Sequence, residues 1–320
     1  MAVFIKDICG LLLDNLKNRQ SVLPISKRKV NKWAKGFNLP KGGDTVLYTG
    51  QMYQLSPGIN SLVKMLELID NTFIMRLIPI GRYINRFINI AGLINFPSKK
   101  EVIKHNLVLR NVTMLLQKAK VAFGYLYEDD LYAGALAHDF GADELVKIHA
   151  QKVFHNLKKN NVKRLITVDP HTTNMLRHVF PGIIKDFDIE VRTYIEVLLE
   201  KNIEPVNISN EKMVIHDSCV FARHEKLVVQ PRILLEKAGV EIINPFESEK
   251  YTDCCGGPIE SLFPSKALEI GNERMKHLLE KGTNIVVMCP ICLANFSRSL
   301  PENVIIRDIN EILADLYLGN

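Results

Sequence analysis

The sequence predicts an α/β protein built as two pseudo-repeated units with mostly parallel sheets, preceded by an N-terminal extension. Three observations predict this. At 320 residues the chain has room for about two domains of ordinary size. Short apolar strands alternate along it with amphipathic helices, the pattern of a parallel sheet covered by helices. One plan, a helix, a strand and then x-Pro-x-x, occurs twice.

The elements follow in order. The first 43 residues are basic and amphipathic, with Ile25-Ser26-Lys27-Arg28-Lys29 followed by Trp33-Ala34-Lys35-Gly36. They end at Lys41-Gly42-Gly43-Asp44 and are expected to wrap the first unit, residues 44–204. Thr45-Val46-Leu47-Tyr48 opens that unit as a strand; residues 144–161 carry helical periodicity; Arg164 to Val168 is a second strand, and Asp169-Pro170-His171-Thr172 follows it. The break is expected in Lys201-Asn202-Ile203-Glu204-Pro205, which leaves residues 205–320 as the second unit. There, Lys212 to His216 is a short buried strand, residues 231–245 read as a helix stopped by Gly239 and then a strand, and residues 267–282 are a helix stopped by Gly282. The β-rich run Ile285-Val286-Val287-Met288 leads directly into Cys289-Pro290-Ile291-Cys292. Each unit thus reads as a Rossmann-like layer.

Composition excludes several classes. Hydrophobic residues at 47% and charged residues at 24% are ordinary for a globular protein and exclude low-complexity and disordered chains. A net charge of +6 is mild and spread along the chain, so no nucleic-acid partner is expected. Six cysteines are too few for a disulfide scaffold, and Asp7 interrupts the N-terminal apolar stretch where a signal peptide would need continuity. A cytoplasmic, reducing compartment is the expectation, where cysteines are read as metal ligands or catalytic groups. Residues 73–96 are long and apolar, but Arg76, Arg82 and Arg86 fall inside them and Pro79 and Gly81 are expected to break a helix there. A membrane span is not expected. A helix from about 82 to 94 would pack on the core, with peripheral contact to a partner or membrane as the alternative.

Chemistry concentrates in the second unit. Five of the six cysteines lie there: Cys219, the pair Cys254-Cys255, and Cys289 with Cys292. All sit at predicted strand ends and turns, and loops at the carboxyl ends of parallel strands converge on one crevice. Gly256 and Gly257 let the backbone turn sharply beside a bulky ligand. Pro290 after Cys289 suits the first turn of a helix. Buried thiols, a structural zinc site and an iron–sulfur cluster all remain open. Zinc would want paired C-x2–4-C elements, of which there is one, and would leave a fifth cysteine over. A cluster accepts thiolates from separated loops.

The runs His216-Asp217-Ser218-Cys219, Cys254-Cys255-Gly256-Gly257-Pro258 and Cys289-Pro290-Ile291-Cys292-Leu293 resemble the cysteine-rich CCG domain of the B-type and D-type subunits of heterodisulfide reductase. The same domain occurs in iron–sulfur subunits of glycolate, lactate and glycerol-3-phosphate oxidoreductases. Trp33 to Gly36 and Tyr48-Thr49-Gly50 resemble the entry to the first domain of the D-type proteins, so the resemblance covers about residues 25–300. It implies one noncubane 4Fe-4S cluster held by Cys219, Cys254, Cys255, Cys289 and Cys292. The first unit departs from the pattern. Gly50-Gln51, Ala122-Phe123-Gly124 and Asp169-Pro170-His171-Thr172 stand at the three expected motif positions, and none has a thiol. One cluster, not two, is implied.

His216 and His224 flank Cys219 and are the candidate catalytic residues, as proton donors to a leaving thiolate or hydrogen-bond partners of a sulfur. His138, Asp139, Asp169 and His171 are candidates for the opposite wall of an interdomain cleft. No dinucleotide fingerprint, P-loop or serine elbow occurs. The resemblance implies an oxidoreductase subunit acting on a thiol, disulfide or sulfur carrier, working with a ferredoxin-like iron–sulfur subunit and a flavoprotein subunit. The alternatives are an electron-transfer subunit of a flavin-dependent hydroxyacid or glycerol-3-phosphate dehydrogenase, and a non-catalytic zinc-stabilised scaffold.

Overall fold

The computed structural model describes residues 2–69, 72, 76–89, 92 and 97–319. It contains two four-stranded sheets, each wholly parallel. In the first, β1 (Thr45–Tyr48), β2 (Gly124–Tyr125), β3 (Arg164–Thr167) and β4 (Glu190–Thr193) are ordered β2-β1-β3-β4. In the second, β5 (Lys212–His216), β6 (Glu241–Ile243), β7 (Asn284–Val287) and β8 (Ile305–Asp308) are ordered β6-β5-β7-β8. The two orders are the same. The pseudo-repeat read from the sequence is therefore an architectural one: two α/β units, as expected.

The strands are short apolar runs because both faces of each sheet are covered. Val46, Leu47, Leu165, Ile166, Val214, Ile215, Ile285 and Val286 are all buried, as parallel strands require. The helices used below are α1 (Ala2–Arg19), α2 (Met52–Ile69), α3 (Ile78–Asn85), α4 (Lys99–Lys118), α5 (Ala135–Asp139), α6 (Asp143–Lys159), α7 (Pro170–Asn174), α8 (Tyr194–Glu200), α9 (Cys219–Arg223), α10 (Val229–Lys237), α11 (Pro264–Leu279), α12 (Pro290–Phe296) and α13 (Ile309–Leu318). Gly239, at φ +82°, closes the turn after α10, and α11 starts three residues before its expected first residue because Pro264 suits a first turn.

The N-terminal residues pack on the first unit. Ile8, Leu12 and Leu16 of α1 join the core formed by Val46, Tyr48, Val153 and Leu165. Trp33 lies edge-on to Tyr125 of β2, with ring centroids 4.8 Å apart. Across the two units runs a shared core, in which Trp33, Tyr53, Leu109 and Leu116 meet Phe221, Leu235, Ile312 and Tyr317. Polar ties cross the same boundary. Tyr53 O–H donates to Asp308 at 2.7 Å, and Arg177 bonds Glu225 at 3.1 Å.

The stretch around residue 82 differs from its expectation. The helix is Ile78–Asn85, with Pro79 in its first turn. Proline there lacks only an N–H that the helix would leave unused, so it starts this helix instead of breaking it. Residues 90, 91, 93 and 94, expected to complete the helix, lie outside the described residues. No helix among the described residues is long and apolar enough to cross a membrane.

Candidate metal centre

In each sheet the chain leaves the first strand for a neighbour on one side and then crosses to the other, so a crevice opens beyond the carboxyl ends of the two central strands. In the second unit these are β5 and β7. β5 delivers His216, Asp217 and Ser218, and Cys219 begins α9. β7 delivers Cys289 as the residue capping α12, with Pro290 at its first position and Cys292 one turn on. The third approach is the loop after β6, which brings in Cys254 and Cys255.

That loop depends on its glycines. Gly256 has φ +81°, and a Cβ on it would stand 2.4 Å from the Ala267 carbonyl oxygen. A Cβ on Gly257 would stand 2.2 Å from Ile291 Cγ2 and 3.3 Å from the Cys255 sulfur. Their amides turn toward the cysteines: Gly256 N–H donates to Cys254 Sγ at 3.3 Å and Gly257 N–H to Cys255 Sγ at 3.4 Å. Backbone N–H groups aimed at sulfur favour its anionic form.

The five sulfurs form one string. Cys219 is within hydrogen-bond reach of Cys254, Cys254 of Cys255, Cys255 of Cys292, and Cys292 of Cys289. Hydrogen bonds from Cys219 and then Cys255 hold the Cys254 thiol far below its ordinary range. Burial pushes Cys289 up, but hydrogen bonds from Cys292 and His171 outweigh it and the thiol lies well below. The other three move up, each first through its hydrogen bond to a neighbouring cysteine. Cys255, Cys289 and Cys292 are buried, and Cys219 and Cys254 are half-buried.

His216 joins this group: one of its ring nitrogens and the sulfurs of Cys255 and Cys292 lie within 4.8 Å of one another. Its Nδ1 accepts from Arg274 Nε at 3.3 Å, and its Nε2 has no protein partner. Burial, followed by the Arg274 charge, lowers its pKa to about 3, so the ring is neutral. His224, the other expected catalytic histidine, stands exposed at the end of α9 with its backbone N–H on Val220. Among the described residues, no side-chain bond links it to a site cysteine.

The supports of this site carry little sequence signal. Arg274 is buried on the same stripe of α11 as Ala267, Gly271 and Leu278. It donates to the Phe246 carbonyl at 2.7 Å as well as to His216. Asp217 takes two bonds from buried Arg232, at 2.7 and 2.9 Å, and a third from Glu249 N–H at 2.8 Å. Asn295 donates to the carbonyls of Cys255 and Ala267 at 2.6 and 2.9 Å. Together these bonds hold the cysteine-bearing loop against both central strands. The only hint of Arg274 in the sequence is a charge on an otherwise small and apolar helical stripe.

The opposite wall comes from the first unit. His171 is buried and bonds Cys289; burial alone would lower its pKa, but the thiolate raises it to about 9. His171 and Asp139 also line a cavity of about 30 Å³ shared with Gly257, Glu260 and Ser261, room for about one water. Burial raises the Glu260 carboxyl to about 8.

Matching the two sheets shows what stands at the corresponding positions of the first unit. Gln51 stands where Cys219 does, and Asp169 and Thr172 where Cys289 and Cys292 do, each placed by its strand and following helix. The counterpart of the central motif is not Ala122-Phe123-Gly124, because Gly124 is itself in β2. It is Tyr132-Ala133-Gly134: Gly134 has φ +91° and caps α5, as Gly256 caps the turn after Cys255. Side chains fill the space. A Cβ on Gly50 would stand 2.1 Å from Thr172 Oγ1, and Tyr132 is buried there with its hydroxyl accepting from Leu136 N–H.

Five thiols on one string, with the Gly256 and Gly257 amides turned toward Cys254 and Cys255, fit an iron–sulfur cluster better than a tetrahedral ion, which would leave one thiol unused. Residues 213–297 match the cysteine-rich domain family, CCG. The second unit carries a CCG domain. Relatives support the assignment. The chain is 28% identical over 218 residues to the probable iron-sulfur-binding oxidoreductase FadF of Bacillus subtilis, covering 64% of this chain and 31% of that protein. It is 28% identical over 218 residues to the EtfAB:quinone oxidoreductase of Syntrophomonas wolfei, covering 62% and 30%. Over 217 residues it is 25% identical to the D-type subunit of the dihydromethanophenazine:CoB–CoM heterodisulfide reductase of Methanosarcina barkeri, covering 63% and 53%. The chain thus spans about a third of the length of the first two relatives and about half of the third. Its CCG domain is accompanied by a first unit with the same strand order and no cysteine at the corresponding positions.

Proposed function

We propose that this chain is the iron–sulfur, electron-transferring part of a heterodisulfide reductase-like oxidoreductase. Cys219, Cys254, Cys255, Cys289 and Cys292 hold one noncubane 4Fe-4S cluster in the unit from 205 to 320. The observation that carries the reading is the unbroken string of five sulfurs gathered from three loops. When bound, such a cluster supplies one-electron steps and an iron able to take a substrate thiolate.

The protein's own groups prepare the place. Cys254 and Cys289 are held as thiolates, the state a metal needs. Arg274 fixes the His216 ring beside Cys255 and Cys292. The shared core excludes water from the deep side, while half-buried Cys219 and Cys254 leave an approach from solvent. The substrate class is a thiol, a disulfide or a sulfur carrier. The partners are a ferredoxin-like iron–sulfur subunit and a flavoprotein, in the cytoplasm, where thiols stay reduced. A second reading, electron transfer from a flavin-dependent dehydrogenase toward another acceptor, draws support from the relative named as an EtfAB:quinone oxidoreductase.

The test is anaerobic purification followed by iron, acid-labile sulfide and zinc analysis, with EPR before and after added thiol. About four irons and four sulfides per chain, lost in Cys255→Ser, are expected. A thiol-altered signal selects the first reading over the second. Stoichiometric zinc without sulfide would overturn both and leave a scaffold built on His216, Cys255 and Cys292.

A further inference from the structure

Helix α3 is amphipathic in the wrong sense for a helix on a water-facing surface. Its polar groups turn inward onto α1. Arg82 bonds Asp14 at 3.0 Å and reaches Asp7 at 3.5 Å, and Arg86 reaches Asp14 at 3.4 Å. Asn85 is buried and donates to Asn15 at 2.7 Å. The Arg82 guanidinium lies so close on α1 that a Cβ on Gly10 would stand 2.1 Å from its Cζ. The apolar side chains therefore point out: Ile80 is 57% exposed, Tyr83 62%, Phe87 75% and Ile88 55%. A contiguous row of this kind marks a surface that something covers.

The neighbouring charges say what covers it. The segment after α3 is tied to the N-terminal region by the bond from Asn89 to the Pro24 carbonyl, at 3.3 Å. There a groove of about 570 Å³ runs between Pro24, Gly92 and Ile103, and Lys29, Lys32 and Lys99 line it with no carboxylate among the described lining residues. These lysines are exposed, as are Lys27 and Arg28 beside them, and among the described residues none of the five makes an ion pair. Apolar and aromatic side chains standing out from α3 and the turn after it, next to cations of one sign, match an anionic lipid surface better than a protein groove.

We propose that this face rests on an anionic membrane surface. Ile80, Tyr83, Phe87 and Ile88 enter the headgroup boundary, and Lys27, Arg28, Lys29, Lys32 and Lys99 lie against the lipid anions. The inference does not depend on the cluster or its substrate.

Co-sedimentation of the full chain with vesicles tests it. Binding is expected to phosphatidylcholine vesicles that contain phosphatidylglycerol, weakening with salt, and not to phosphatidylcholine alone. Phe87→Ser/Ile88→Ser and Lys29→Ala/Lys32→Ala should each lower the partition coefficient about tenfold, with circular dichroism and iron content unchanged. Four results would overturn the proposal: no binding to the anionic vesicles, equal binding to neutral ones, variants that bind like the parent, or a dimer abolished by Phe87→Ser/Ile88→Ser in a chain that ignores vesicles.

Discussion

His171, in the unit without cysteines, hydrogen-bonds Cys289 in the unit that has them. Its place in the first unit corresponds to Ile291 in the second, one residue beyond the proline that opens each helix. The first unit thus repeats the fold of the second, and its residue at this position supplies a buried cation to the neighbouring sulfur.

A donor on a ligand sulfur stabilises the more negative, reduced state of a metal centre and raises its potential. Hydrogen bonds to charged groups are worth about 1.5–3 kcal/mol, and a tenfold change in a one-electron couple is about 59 mV. His171→Leu should therefore make the cluster potential more negative by on the order of 60–130 mV. EPR-monitored redox titration measures this, with iron content as the control. A variant that keeps its iron and its potential would show that the bond has no such role.

The replaced motif makes a second prediction. Gly50 has φ +53° and faces Thr172 with no space for a Cβ. An L-residue there costs about 1–2 kcal/mol for the backbone and a further ~1–3 kcal/mol for overpacking. Gly50→Ala should lower the thermal midpoint, and Thr172→Ala in the same chain should restore most of the packing part but not the backbone part, since the Thr172 Cβ would still stand 2.9 Å away. The same crowding means that Gln51→Cys, Asp169→Cys and Thr172→Cys together should not raise iron above one cluster per chain.

These residues also show how far the sequence could be read. The repeat was legible because β3 and β7 each end in x-Pro-x-x before a helix, and proline at a first helical turn has a local cause. The five cysteines were legible because thiols, glycines and proline make a signal that needs no neighbours. Tyr132-Ala133-Gly134 was hidden, since only the pairing of Gly124 and Tyr125 with β1 reveals which glycine matches Gly256. The inward turn of Arg82 and Arg86 was hidden as well. It depends on Asp7, Asp14 and the bare surface of Gly10, about 70 residues away along the chain, and periodicity within one helix cannot report a partner at that distance.

Asp130 predicts a pH dependence. It is fully buried, and burial raises its carboxyl to about 7 although Thr49 and Tyr125 donate to it. The folded state therefore holds a proton that the unfolded chain, near the ordinary 3.8, has already lost. Stability from this group is fully present below about 4, declines as pH rises from there to about 7, and is flat above. At about 1.36 kcal/mol per unit the loss has a ceiling of roughly 4 kcal/mol. Asp130→Asn should flatten this part of the profile and be the more stable protein at pH 8. Urea midpoints at pH 5 and pH 8 test it, and parallel profiles for the two proteins would refute the assignment.

Arg274 joins the fold to the metal centre. Its guanidinium is fully buried and serves four acceptors: His216 Nδ1, the Phe246 carbonyl, the Thr252 hydroxyl at 3.5 Å and, at 3.6 Å, the Asp253 carboxylate. Asp253 adjoins Cys254, so one side chain fixes both the histidine beside Cys255 and Cys292 and the loop that presents the cysteine pair. Arg274→Met keeps much of the volume but leaves the carbonyl and the ring nitrogen unpaired in the interior. Breaking a buried charged network in this way costs about 3–5 kcal/mol. Two consequences are expected: a lower unfolding midpoint, and faster loss of iron to a chelator from the protein that remains folded. Arg232→Met serves as the comparison, since it breaks the Asp217 bonds without touching His216. If the two variants lose iron at the same rate, Arg274 acts on the loop alone and its bond to His216 adds nothing to the hold on the metal.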